Sequence, residues 1–119
     1  MGLSTHVLDT MHGTPAAGMA VALYATDADG APPRLLRRIV LNADGRNPGG
    51  PVLDNASFHR GTYRLCFSVA DYFRARGVAL PEPPFLDVVT LDFGVADPDQ
   101  HYHVPLLVSP WSYATYRGS

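Results

Sequence analysis

Gly61-Thr62-Tyr63-Arg64-Leu65-Cys66-Phe67-Ser68-Val69 decides the fold: Tyr63, Leu65, Phe67 and Val69 alternate with Thr62, Arg64, Cys66 and Ser68. A strand sends successive side chains to opposite faces, so this period of two predicts a strand with one face turned into a core. Cys66, inside an apolar strand, reads as a small buried hydrophobe. Downstream, Asp71 to Gly77 breaks the alternation with an acceptor at its start, helix formers within and glycine at its end, which predicts a short helix. Pro81-Glu82-Pro83-Pro84 then forms an extended linker. Phe85 to Val95 repeats the alternation, and Tyr102–Val108 and Trp111–Arg117 follow, joined through Ser109-Pro110.

Upstream, Leu3–Leu8 and Met19–Thr26 read as strands, the second ended by a turn at Asp29-Gly30. Leu35–Asn42 places Leu35, Ile39 and Leu41 on one face with Arg38 opposite. Asp44-Gly45 marks a turn, Gly49-Gly50-Pro51 a loop, and Val52–Phe58 a weaker edge strand. About eight strands separated by turn residues, with one short helix, predict an all-β sandwich of antiparallel strands in two sheets.

The 119 residues fit one domain, 1–119. A net charge of −2 argues against a nucleic-acid groove or an anionic membrane surface. Cys66 is the only cysteine, which rules out an intrachain disulfide. No apolar run approaches the ~20 residues of a membrane-spanning helix. Met1 to Met11 lacks the basic and apolar regions of a secretory signal, so the cytoplasm is the expected compartment. Asp27-Ala28-Asp29-Gly30 lacks the downstream ligands of a calcium loop and reads as a turn.

Three stretches can carry chemistry. In His101-Tyr102-His103, strand geometry puts both imidazoles on one face, and histidine suits proton transfer near neutral pH. The same spacing fits two idle surface histidines, or a zinc site completed by His6, although no Cys pair or His-Glu helix motif supports a metal. Tyr113 to Ser119 continues an alternating strand to the last residue, with Arg117 and Ser119 on one face and Tyr116 and Gly118 on the other. Arg46, just past the Asp44-Gly45 turn, offers a planar fork for a carbonyl or anion, or is simply solvated.

Together these pieces resemble the 5-hydroxyisourate hydrolase (transthyretin-like) family. Leu3-Ser4-Thr5-His6-Val7-Leu8-Asp9-Thr10 with Gly13-Thr14-Pro15-Ala16 is similar to its N-terminal signature, and His101-Tyr102-His103-Val104-Pro105-Leu106-Leu107-Val108-Ser109-Pro110 to its second. Tyr116-Arg117-Gly118-Ser119 resembles its C-terminal tetrapeptide, and Asp44-Gly45-Arg46 and Tyr72-Phe73 also fit. Transthyretin, a hormone carrier of the same fold, shares the framework but lacks the residues found here at His6, Arg46, His103 and Tyr116.

The resemblance implies a transthyretin-like β-sandwich, a homotetramer built as a dimer of dimers, and ring-opening hydrolysis of 5-hydroxyisourate in urate breakdown. It implies no metal and no organic cofactor. His6, Arg46, His103 and Ser119 are the expected catalytic residues. His6, Arg46, His101, Tyr116, Arg117 and Gly118 are expected to contact substrate, and either His6 or His103 serves as the base. The competing expectations are a transthyretin-like carrier of an aromatic molecule and a sandwich used only for protein contacts.

Overall fold

The computed structural model describes residues 2–26 and 30–118. The expected Asp29-Gly30 turn and the Asp27–Asp29 run fall wholly or partly outside the described residues, as does Ser119.

The strands are β1 (Gly2–Asp9), β2 (Thr14–Pro15), β3 (Ala20–Ala25), β4 (Arg34–Val40), β5 (Leu53–Asp54) and β6 (Gly61–Ser68). After helix α1 (Val69–Ala75) come β7 (Val88–Val95), β8 (Tyr102–Val108) and β9 (Tyr113–Thr115). One sheet runs β2-β1-β8-β9 with β5 also paired to β1, and the other runs β4-β3-β6-β7. The sandwich is therefore as expected. The two-residue strands β2 and β5 mark where the expected strand boundaries differ.

The alternation expected over Gly61–Val69 holds as far as Ser68, and Val69 starts the helix. Tyr63, Leu65 and Phe67 are buried in a core shared with Leu3, Val7, Leu23, Val104 and Leu106. Five or more fully buried large side chains at ~1.5–3 kcal/mol each make this inter-sheet layer the main source of stability. Cys66, however, points outward and is half-buried, because it occupies the other phase of the strand. Its Sγ lies 3.9 Å from Thr90 Oγ1 on the neighbouring strand.

Other departures have local causes. Ile39 and Leu41 are buried as expected, but the register between β3 and β4 shifts at Leu23/Tyr24 and inverts the phase of the first part of β4, where Leu36 instead of Leu35 packs on the core. Leu35 is consequently exposed, while Arg37 donates from Nη1 to the Val52 carbonyl. Helix α1 begins at Val69, before the expected Asp71. The N–H groups of Val69 and Ala70 both donate to the Asp87 carbonyl, so a loop carbonyl rather than a side chain satisfies the helix start. The strand expected from Phe85 begins only at Val88, past the Pro-rich linker.

The most consequential departure is β8. It pairs with β1 in parallel, Leu3 beside Tyr102 through Asp9 beside Val108, where an antiparallel arrangement was expected. Ninety-odd residues of intervening chain allow this long crossover, whereas a tight turn does not. The parallel pair lays the two ends of the chain side by side.

Candidate active site

The β1–β8 register puts Ser4 beside His103 and His6 beside Pro105. Alternation turns Leu3, Thr5, Val7 and Asp9 into the core, so Ser4 and His6 face outward, as do His103 on β8 and His101 just before it. Ser4 Oγ stands 2.9 Å from His101 Nε2 and 2.7 Å from His103 Nδ1. The two imidazoles thus share one hydroxyl.

Arg46 reaches the same face through its turn. Asn42 Oδ1 accepts the N–H groups of Asp44 and Arg46, and the Asn42 carbonyl accepts that of Gly45. Gly45 has a φ of +72°, and a Cβ there would lie 2.5 Å from the Val7 carbonyl oxygen. Only glycine fits, and the close approach lets the Gly45 carbonyl accept the Val7 N–H at 3.0 Å. Arg46 is held opposite His6 in an antiparallel bridge. Ser4, Thr5, Arg46, Asn47, Gly50 and Pro51 line a cleft of about 240 Å³ there.

Burial, then the Arg46 charge, hold the His6 pKa below the ordinary histidine value, against an opposing pull from the Asp44 carbonyl and carboxylate. His103 is lowered by burial first, then by Arg46, His6 and His101. Both rings are therefore neutral near pH 7, and a neutral imidazole offers a lone pair to take a proton.

The C-terminal tail closes this side. Gly118 N–H donates to the His103 carbonyl at 2.7 Å, and the two residues form an antiparallel bridge. A Cβ on Gly118 would stand 2.7 Å from His103 Cδ2, so the missing side chain gives the ring room. Tyr116, two residues earlier, is exposed. Arg117 points the other way, as alternation requires. Its Cζ lies 3.9 Å from the Tyr102 ring centroid, and its Nη2 donates to Gln100 Oε1 and the His101 carbonyl. The structure therefore brings together His6, Arg46, His101, His103 and Gly118, and leaves the Arg117 guanidinium on the opposite side of β8. Among the described residues, no three His, Cys, Asp or Glu side chains stand close enough to hold a metal ion.

Ser4 was missed from sequence. Its signal was its position two residues before His6, which put it on the same face, but only the parallel register reveals the two imidazoles beside it.

The HIUase/Transthyretin family matches residues 3–118. The chain is 53% identical over 117 residues to 5-hydroxyisourate hydrolase 2 of Rhizobium meliloti (strain 1021), covering 98% of this chain and 95% of that one. It superposes on the crystal structure of an (S)-allantoin synthase with a TM-score of 0.92 and 45% identity, covering 99% of this chain but only 43% of that longer one. Sea bream transthyretin in complex with thyroxine gives a TM-score of 0.86 at 28% identity, with 99% and 95% covered. The carrier thus shares the sandwich, while the hydrolase is identical at about half of the aligned positions. With its fold, its two end motifs and this match along nearly its whole length, the chain belongs to the HIUase/Transthyretin family.

Proposed function

We infer that this chain hydrolyses 5-hydroxyisourate, opening its ring to 2-oxo-4-hydroxy-4-carboxy-5-ureidoimidazoline in urate breakdown. The observation that carries the reading is the convergence of His6, Arg46 and His103 on one open face of the β1–β8 pair, in a chain so similar to a 5-hydroxyisourate hydrolase. Water adds to a lactam carbonyl carbon while one imidazole takes its proton. The carbon–nitrogen bond then breaks, the nitrogen leaves protonated, and a carboxylate remains. Arg46 supplies N–H donors where negative charge develops on the carbonyl oxygen. Tyr116 and Gly118 border the substrate at the tail; Ser119, outside the described residues, is kept as the group whose hydroxyl or terminal carboxylate orients water or substrate. Arg117, held on Tyr102, supports the tail from behind.

The decisive measurement is ultraviolet decay of freshly generated 5-hydroxyisourate. Accelerated loss in proportion to protein is expected, and saturable binding without turnover would replace this reading with the carrier one. Chelator-treated protein should keep full activity. Loss that added Zn²⁺ restores would favour the zinc reading.

The depressed histidines set the pH dependence. The base works only when neutral, and its pKa lies below the ordinary histidine value, so kcat/KM should hold as pH falls past that value and drop only below it. Removing the Arg46 charge in Arg46→Gln removes one cause of the lowering, and the acid limb should move to higher pH. An unmoved limb would show that Arg46 does not act on the base.

We also propose a homotetramer, a dimer of dimers, working in the cytoplasm as one domain over residues 1–119. In support, β7 and β9 each leave one edge unpaired among the described residues, and Val88, Trp111, Tyr113 and Tyr116 are exposed near those edges. No helix among the described residues is long and apolar enough to cross a membrane. Light scattering should return the mass of four chains.

A further inference from the structure

We propose that Ser4 is a positioning residue that couples the tautomers of His101 and His103 and thereby leaves Nε2 of His103 bare as the general base; the assignment of that base rests on the hydrolytic reading above.

The argument is a count of protons. A serine hydroxyl carries one hydrogen and accepts through its lone pairs. Ser4 Oγ lies within hydrogen-bond distance of two ring nitrogens, His101 Nε2 at 2.9 Å and His103 Nδ1 at 2.7 Å. It can donate to only one of them, so the other must bring its own hydrogen. Besides the case in which both rings donate to Ser4, which also leaves His103 Nε2 bare but turns the Ser4 hydrogen away from both, two arrangements satisfy both contacts. In one, His101 Nε2–H donates to Ser4 and Ser4 donates to His103 Nδ1, which puts the remaining His103 hydrogen on Nε2. In the other, His103 Nδ1–H donates to Ser4 and Ser4 donates to His101 Nε2, which leaves His103 Nε2 as a lone pair.

The surroundings choose the second. Nδ1 of His103 is already taken by Ser4, so Nε2 is the only nitrogen of that ring left to act on water. The charge closest in effect on His103 is the Arg46 guanidinium, a group of donors with no acceptor. A bare Nε2 suits such a neighbour, and an Nε2–H opposes it. When Nε2 takes the water proton, the imidazolium still donates from Nδ1 to Ser4, so no hydrogen bond breaks during the step. The arrangement is thus prepared before substrate arrives.

Histidine labelled with ¹⁵N on both ring nitrogens reports the tautomers directly, by nuclear magnetic resonance at a pH where both rings are neutral and with no substrate present. In the unaltered protein, His103 should show hydrogen on Nδ1 and a bare Nε2, and so should His101, whose Nε2 accepts the Ser4 hydrogen. In Ser4→Ala both rings should move to averaged tautomer signals, and kcat should fall on the order of tenfold with little change in KM, since a mis-set tautomer removes base without removing binding. Ser4→Thr, which keeps the hydroxyl, should restore signals and rate. Equal melting temperatures across the three proteins would exclude unfolding as the cause. Hydrogen on Nε2 of His103 in the unaltered protein, or ring signals unmoved by Ser4→Ala, would overturn the proposal. Coupled tautomers in a protein that does not turn over 5-hydroxyisourate would support the linkage and sink the hydrolytic reading instead.

Discussion

His103→Ala is expected to lower kcat/KM for 5-hydroxyisourate by about 10²–10⁴-fold, the usual worth of a positioned general base. The side chain faces outward from β8, and the backbone contact that holds the tail, Gly118 N–H to the His103 carbonyl, does not involve the ring. The fold should therefore survive, with the tail somewhat looser where the ring no longer lies against Gly118. His6→Ala should also be severe. Its acid limb should remain but move to higher pH, because His103 still takes the water proton while losing His6 as one cause of its lowered pKa. Stopped-flow decay of the substrate, paired with circular dichroism to verify folding, decides the matter. Near wild-type rates from folded His103→Ala would refute its role as base, whatever the fate of His6.

How much of this was legible from the residues differs between fold and site. The sandwich followed from the alternation at Tyr63, Leu65 and Phe67, because burial of one strand face is a local property that sequence period records directly. Cys66 shows the limit of residue type: its apolar character suggests burial, but the same alternation that buries its neighbours puts it outside. The inverted phase at the start of β4 is not visible in the residues, because a register shift depends on the partner strand, whereas Ile39 and Leu41 keep the expected phase. At the site, His6, Arg46 and His103 were singled out on resemblance, and the structure gathers them. Arg117 was grouped with them from the tetrapeptide, although its own alternation already opposed it to Gly118. Ser4 was invisible for a different reason: it gains meaning only from the parallel β1–β8 register, which is a tertiary fact.

Asp9→Ala should destabilise the folded chain by about 2–4 kcal/mol, the range for leaving several buried donors without their acceptor. Asp9 occupies the inward phase of β1 with Leu3 and Val7 and is fully buried. Its carboxylate accepts the His12 N–H at 3.0 Å, His12 Nδ1 at 2.6 Å and the Tyr72 hydroxyl at 2.8 Å, with Arg76 Nη1 at 3.7 Å. These contacts tie the end of β1 and the following turn to α1, and Arg76 also donates to the Tyr72 hydroxyl. Burial pushes the Asp9 pKa up, but the hydrogen bonds from His12 and Tyr72 and the His12 charge outweigh it and hold the group below the usual carboxylate value. A carboxylate depressed on folding stabilises at every pH above its unfolded pKa, and that stability disappears as pH falls through the lower folded value. The variant should therefore melt well below the unaltered protein near pH 7, and the gap should narrow in acid. A gap independent of pH would mean that the loss is one of packing rather than of the buried charge. Asp9→Asn separates these further. It keeps the volume but turns an N–H₂ toward donors, so it should remain destabilised near neutrality. Because β1 also carries Ser4 and His6, the same network anchors the strand on which the reacting face is built, and loosening it should lower activity in step with stability.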